Sequence, residues 1–206
     1  MRLLGWRIEV DARRLSASRP CVFVSNHQSI MDLLVFGAVV PRRTVAVGKQ
    51  ELSKIPLFGW FFRASGNLVI ERGNPEAARE MLAAAGRRLK EEGLSVWFMP
   101  EGHRNAGGEL LPFKTGAFRL AAAAGVPVVP VVAGPLEAIV DTRRMRTRRG
   151  RLALSVLDPV PIEDGEGQTA SAAVCVREKM QAEFERLKDE PGNGKRETGN
   201  ELKTEN

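Results

Sequence analysis

Cys21-Val22-Phe23-Val24-Ser25-Asn26-His27-Gln28-Ser29-Ile30-Met31-Asp32 changes character twice, from an apolar run to a polar loop and from the loop to an apolar run with helical spacing. On one straight helix His27 and Asp32, five positions apart, would point about 140° away from each other at roughly 100° per residue. The stretch is therefore read as strand Cys21–Val24, a loop holding His27, and a helix from Ile30 with Ser29 as N-cap. Asp32 is then the third helical residue, and Ser-x-x-Asp resembles a capping box, whose acidic side chain folds back over the helix start towards His27. His27 is one of only two histidines. An imidazole, with an unperturbed pKa of roughly 6.5, takes and returns a proton near neutrality, and a carboxylate can fix its tautomer. His27 and Asp32 are the candidate catalytic pair, the alternative being a loop histidine beside a plain cap.

Outward from this stretch the chain keeps a rhythm of strands and helices. Trp6 to Val10 is expected as a strand and Asp11 to Arg19 as a polar turn. Asp32 to Val40 reads as a buried helix stopped by Pro41, Thr44 to Val47 as a strand, Leu57 to Ala64 as an apolar helix, and Leu68 to Ile70 as a strand. Pro75 opens a helix to Glu92, with acids at its start, bases at its end and Gly93 after it. Leu94 to Phe98 is a buried strand, Thr115 to Ala124 a small-residue helix ended by Gly125, and Val126 to Val132 a strand interrupted by prolines. Leu152 to Leu157 is expected to close the sheet, and Ala170 to Leu187 to form a last, charged helix. The pattern predicts an α/β fold: a single domain over residues 1–188, with a largely parallel central sheet and helices on both faces. Residues 189–206 hold no aromatic side chain and many Gly, Lys, Glu and Asn, so a disordered tail is expected.

The 206 residues are 43% hydrophobic and 27% charged, enough for one sizeable core and too few for two ordinary domains. A net charge of +6 points to an anionic partner: nucleic acid, phosphorylated metabolites or an acidic membrane surface. Cys21 and Cys175 have no paired spacing, which suggests neither a disulfide framework nor a zinc site and fits a reducing compartment. Met1 to Arg7 lack the apolar region of a secretory signal, so no cleaved leader is expected. The uncharged run Leu120 to Leu136 is short for a membrane span and broken by Pro127, Pro130 and Pro135.

A polar cluster follows each of four predicted strands: Asn26 and His27 after Val24, Lys49 after Val47, Glu71 and Arg72 after Ile70, and Glu101, His103 and Arg104 after Phe98. In open α/β sheets ligands bind at the carboxyl ends of the strands, so the fold would gather these residues on one rim. Pro100 and Gly102 make a tight turn there, and Arg104 carries a forked donor suited to phosphate. Glu101 is expected either to hold that guanidinium or to orient a loop.

These residues resemble the glycerolipid acyltransferases typified by 1-acylglycerol-3-phosphate O-acyltransferase, over most of the chain. Asn26-His27-Gln28-Ser29-Ile30-Met31-Asp32 is similar to that family's first block, Asn-His-x-Ser-x-x-Asp. Lys49-x-Glu51-Leu52, Pro56-x-x-Gly59 and Gly66 through Arg72 resemble the second. Phe98-x-Pro100-Glu101-Gly102-x-Arg104 with Phe113-Lys114-x-Gly116 resembles the third, and Val126-Pro127-Val128-Val129-Pro130-Val131 the fourth. Four blocks in family order are far more specific than any one of them.

The resemblance implies transfer of a fatty acyl group from an acyl-CoA or acyl-carrier-protein thioester to a lysophospholipid hydroxyl, most simply that of 1-acylglycerol 3-phosphate, in phospholipid biosynthesis. His27 would deprotonate the acceptor hydroxyl and Asp32 orient the imidazole. Lys49, Arg72, Glu101, Gly102 and Arg104 would form the acceptor site, with Asn26, Ser29 and Lys114 supporting. No metal or organic cofactor is expected; the acyl thioester is a co-substrate. Backbone N–H groups near the helix start at Ser29 are candidates for the oxyanion. Two departures stand out: Met99 displaces the aromatic of the third block by one position, and His103 stands where Thr is usual, which bears on the acceptor head group.

The expected site of action is the cytoplasmic side of an anionic membrane, with the chain as a peripheral protein. Ile55-Pro56-Leu57-Phe58-Gly59-Trp60-Phe61-Phe62 has a composition suited to the bilayer interface, and equally to a core helix. The arginines at 143, 144, 146, 148, 149 and 151 would attract anionic head groups. Rival readings are an acyltransferase for a non-phosphate lysolipid, a thioesterase-like hydrolase and a basic nucleic-acid-binding module. Against the last, the chain has no tyrosine, few aromatics near its basic run and no recognisable nucleic-acid motif, so no nucleic-acid partner is expected.

Overall fold

The computed structural model describes residues 2–3, 5–70, 73–105, 108–141, 146–147 and 149–190. Arg72, Arg143, Arg144, Arg148 and the tail from 191 onward lie outside the described residues. The elements in chain order are β1 (Arg2–Leu3), β2 (Trp6–Val10), α1 (Ala12–Ala17), β3 (Val22–Ser25), α2 (Asp32–Val39), β4 (Thr44–Lys49), a 3-10 helix (Gln50–Lys54) and α3 (Phe58–Ala64). There follow β5 (Leu68–Ile70), α4 (Pro75–Glu92), β6 (Ser95–Phe98), α5 (Gly116–Ala124), β7 (Val128–Ala133), a 3-10 helix (Leu136–Ala138), β8 (Val140–Asp141), β9 (Arg146–Thr147), β10 (Gly150–Val156) and α6 (Glu166–Asp189).

One sheet runs in the order β1-β2-β10-β7-β3-β6-β4-β5. From β7 through β5 all neighbours are parallel, so the carboxyl ends of β7, β3, β6, β4 and β5 share one rim. The central strands β3, β6 and β7 are buried along their whole lengths, as strands covered on both faces must be. Alternate side chains feed two cores. Val22, Val24, Val96, Phe98, Val128 and Val132 pack with residues of α4, α5 and α6. Phe23, Trp97, Val129 and Val131 pack on the opposite face with Leu15 of α1 and Val35 and Phe36 of α2. Along α6, Ala173, Val176, Met180, Phe184 and Leu187 form the stripe that lies inward.

The expected α/β sheet with helices on both faces is present, with three local differences. Residues 11–19 are not a simple turn: Asp11 caps the short helix α1, its carboxylate accepting from Arg13 and Arg14 N–H. Strand β10 does not close the sheet. It runs antiparallel to β7 and parallel to β2, and the sheet continues through β2 to β1. Pro130 is tolerated in a central strand because its carbonyl, accepting from Leu157 N–H at 2.9 Å, faces β10 just beyond that strand's last paired residue, Val156. The missing N–H falls on the same side, where the ladder has ended.

Candidate active site

His27 leaves β3 at the carboxyl rim, and its Nδ1 lies 2.6 Å from Asp32 Oδ2. The same oxygen accepts the N–H of Gln28 at 2.7 Å and of Ser29 at 2.9 Å. Acting as acceptor for two backbone donors, Oδ2 takes the Nδ1 proton as a third, which leaves Nε2 as the basic nitrogen. Asp32 is fully buried, whereas the His27 side chain keeps 20% of its surface exposed. The carboxylate is thus held behind the ring, away from solvent. Its other oxygen, Oδ1, is buried without a hydrogen-bond partner in the structure.

The loop reaches this geometry by a slightly different path from the expected one. Helix α2 begins at Asp32 itself, and Ser29 opens a turn: Asp32 N–H donates to Ser29 O at 3.2 Å, and Met31 N–H to Ser29 Oγ at 3.3 Å. The backward reach of Asp32 to the Ser29 N–H survives, which is half of a capping box. Of the backbone donors near the helix start, the Gln28 and Ser29 N–H groups both point at Asp32 and are not available to a substrate oxygen.

Neighbouring strands fix the loop from both sides. Asn26 is buried and pairs with Ala133 of β7 through both amide atoms, donating to its carbonyl and accepting its N–H, each at 2.9 Å. Gln28, which the sequence does not single out as a site residue, donates to Gly134 O at 2.9 Å and accepts Leu136 N–H at 3.1 Å. From the β6 side, Glu101 Oε1 accepts His27 N–H at 2.8 Å, and Asn105 N–H donates to His27 O at 2.7 Å. Beneath the loop, Trp97 donates to Ser25 Oγ at 2.8 Å and stacks on Phe23, ring centroids 4.9 Å apart.

Of the two expectations for Glu101, holding the Arg104 guanidinium or orienting a loop, the structure shows the second. Glu101 is buried, and its second oxygen accepts Leu111 N–H at 2.9 Å, so both oxygens bind backbone donors and neither holds Arg104. Its observed work is to join the third block to the His27 loop. Burial pushes its pKa above the ordinary carboxylate value, and the hydrogen bonds from Leu111 and His27 oppose that rise.

The cations of the same rim are solvent-facing. Lys49 ends β4 and pairs with Glu51 at 2.7 Å, both side chains substantially exposed. Arg104 is exposed in the turn after β6 and has no hydrogen bond or ion pair to another described residue. Lys114 is also exposed, its N–H bonded to Pro100 O at 2.9 Å. Its side chain crosses Gly102, whose φ is +70°; a β-carbon there would lie 3.0 Å from Lys114 Nζ. Gly102 therefore admits both the left-handed turn and the lysine. His103, exposed, is the neighbour of Arg104 rather than of the dyad.

Cysteine chemistry has no place here: Cys21 lies within the core, where burial pushes its thiol up to about 12, and Cys175 is on the exposed side of α6. Among the described residues no group of three or more His, Cys, Asp and Glu is arranged to hold a metal ion, and no helix is long and apolar enough to cross a membrane.

The parallel sheet thus carries on its carboxyl rim the two blocks whose residues resemble those of the glycerolipid acyltransferases, with His27 in contact with Asp32 and the Glu101-Gly102 turn beside them. Residues 7–134 match the family model described as Acyltransferase, and the chain belongs to that family. Over 158 residues it is 42% identical to 1-acyl-sn-glycerol-3-phosphate acyltransferase beta of Homo sapiens, a match covering 76% of this chain and 57% of that protein. Over 156 residues it is 37% identical to the 1-acyl-sn-glycerol-3-phosphate acyltransferase of Haemophilus influenzae, covering 76% of this chain and 63% of the relative. The chain thus matches less than two thirds of the length of each. Its fold is similar to the crystal structure of the 1-acyl-sn-glycerophosphate (LPA) acyltransferase PlsC from Thermotoga maritima, with TM-score 0.71, 26% identity, and coverage of 90% of this chain and 73% of that one.

Proposed function

We propose that this chain transfers a fatty acyl group from an acyl-CoA or acyl-carrier-protein thioester to the free hydroxyl of 1-acylglycerol 3-phosphate, acting peripherally at the cytoplasmic side of a membrane in phospholipid biosynthesis. The observation that carries the reading is the 2.6 Å contact of His27 Nδ1 with a buried Asp32 carboxylate, which leaves Nε2 as the base at the rim. The names of the relatives support the choice of acceptor.

In this mechanism Nε2 of His27 removes the proton of the acceptor hydroxyl as its oxygen attacks the thioester carbonyl carbon. A C–O bond forms, the C–S bond breaks as the tetrahedral intermediate collapses, and the imidazolium returns the proton to the leaving thiolate. Asp32 keeps Nδ1 protonated and stabilises the transient positive charge. The nucleophile belongs to the substrate; Ser29 is buried and its Oγ accepts from Met31 N–H. Arg104 and Lys114, with Lys49 and Arg72, supply the positive charge for the acceptor's phosphate. Glu101 and Gly102 shape the turn that carries Arg104, and Asn26 and Ser29 support the dyad loop.

Purified protein given an acyl thioester tests this directly. Thiol release should require added lysophosphatidate and match the phosphatidate formed. Thiol release with free fatty acid and no acceptor would instead identify a hydrolase, and preference for an uncharged lysolipid would move the acceptor to the non-phosphate class.

A further inference from the structure

The connection between β4 and β5 presents a surface that the acyl-transfer chemistry does not use. Leu57 is 85% exposed, Trp60 75%, Phe61 60% and Ile55 47%, all within eight residues. The short helix α3 is apolar except for Arg63 in its last turn, a pattern closer to that of a buried or lipid-facing helix than of a surface one. Its inner side is already satisfied: Phe62 is buried, stacks on Phe58 and covers Gly48, where a β-carbon would lie 2.6 Å from the Phe62 ring. The remaining aromatic side chains are left facing solvent.

The segment is braced in this posture. A β-carbon at Gly59 would lie 2.1 Å from Ser53 O, so α3 and the 3-10 helix Gln50–Lys54 pack backbone against backbone. Arg63 donates to the same Ser53 carbonyl at 3.2 Å. Between these elements Leu57 has φ +61° and ψ −52°, and Phe58 N–H donates to Pro56 O at 2.7 Å. That is the γ-turn of positive φ, rare and strained for a residue with a side chain. The strained residue is also the most exposed large hydrophobic side chain among the described residues.

Charge selects the occupant. Lys54 and Arg63 are exposed within the segment, while its one acid, Glu51, is paired with Lys49. The segment starts at the carboxyl end of β4, the rim that also carries exposed Arg104 and Lys114, and exposed Arg146 and Arg149 lie in the connection from β7 to β10 at that same end of the sheet. Aromatic and aliphatic side chains ringed by cations suit the boundary between anionic head groups and acyl chains.

We propose that Gln50–Ala64 docks on an anionic lipid bilayer, with Leu57, Trp60 and Phe61 entering the interface and Lys54 and Arg63 meeting head groups. This rests on the acyl-transfer reading only for its purpose, which is to bring the rim to a lipid acceptor. The three tryptophans make it measurable, because Trp6 and Trp97 are buried and Trp60 alone faces solvent. With vesicles of phosphatidylcholine containing phosphatidylglycerol, full-length protein should float with the lipid and its tryptophan emission shift to the blue. Trp60→Phe should float yet show no shift. The double variant Leu57→Gln, Phe61→Gln, checked for native circular dichroism, should partition at least about tenfold more weakly, and Lys54→Glu should narrow the preference over pure phosphatidylcholine. Unshifted wild-type emission, undiminished partition of the double variant, or a wild-type dimer that the double variant dissociates would each overturn the proposal. His27→Ala should bind vesicles as wild type does; an inactive wild-type protein that still docks would refute the acyl-transfer reading and leave the docking surface standing.

Discussion

The dyad loop and the cations around it share one rim and are built on opposite terms. From Asn26 to Asp32 the polar side chains are buried or nearly so: Asn26 and Gln28 are fixed by the backbone of β7 and the turn after it, Ser29 and Asp32 by the loop backbone, and His27 by Asp32. Lys49, Arg104 and Lys114 are solvated, and the ion pair of Lys49 with Glu51 is an exposed one of the kind worth little. Under the proposed function, the contrast separates two tasks. Proton transfer needs a nitrogen held to a fraction of an ångström, which only an over-determined network provides. Head-group recognition needs charge that the ligand itself can order, so cations left in water before binding serve it.

The sharpest way to break this contrast is at His27. His27→Ala should lower kcat by about 10²–10⁴-fold, the usual contribution of a general base. It should still fold cooperatively, losing about 1–3 kcal/mol with the charged hydrogen bond to Asp32. Single-turnover acyl transfer and urea unfolding measure the two sides. Wild-type turnover in a folded variant would remove the imidazole from the mechanism.

Asp32 tests whether the buried network serves catalysis or only structure. In Asp32→Asn the carbonyl can still accept from His27, Gln28 and Ser29, while the amide takes the place of the unpartnered Oδ1. Turnover should fall by about 10²–10⁴-fold with the loss of charge behind the imidazolium. Asp32→Ala should in addition destabilise the fold, since two backbone N–H groups lose their acceptor at about 1–3 kcal/mol each. A folded Asp32→Asn with undiminished turnover would leave the carboxylate a purely structural role.

On the other side of the contrast, Arg104→Ala should raise the KM for lysophosphatidate by about tenfold, or ~1.4 kcal/mol, with kcat and stability little changed. Steady-state kinetics over acceptor concentration decides it. A fall in kcat at constant KM would make Arg104 part of the reacting centre instead.

What could be read from the sequence follows the same division between local and distant causes. Pro75 and Gly93 state the bounds of α4 within their own neighbourhood, and the helix starts and ends where they say. The His27–Asp32 contact was legible for the same reason, being closed within one loop. Sheet order was not. Nothing local in Gly150–Val156 tells that β10 inserts between β7 and β2, because that placement comes from partners far along the chain. Gln28 was missed on the same ground, its bonds reaching across to Gly134 and Leu136. Asp11 did carry a cap signal, but only Leu15 anchors α1 among its residues, too little apolar pattern to reveal a helix.

Glu101 is where the two regions meet, and it offers the finest test. The family resemblance sets it among the cations of an acceptor site, and the residues alone leave it either holding Arg104 or orienting a loop; burial and two backbone donors make it the brace of the His27 loop. Its raised pKa has a definite sign in stability. Between the ordinary carboxylate value and its own higher one, the native protein binds more of this proton than the unfolded chain does. The contribution of the group is therefore fully present below the unfolded pKa and is lost as pH rises through the folded one. In Glu101→Gln the titration is gone, and one amide N–H faces a backbone donor, at a cost of about 1–3 kcal/mol. Wild type should thus exceed the variant in unfolding free energy most at the acidic end, the margin narrowing as pH climbs from the carboxylate range towards neutrality. Urea unfolding at a series of pH values reads that margin directly. A margin that widens with pH would mean that the hydrogen bonds from His27 and Leu111 outweigh burial, and that Glu101 braces the loop as a charge.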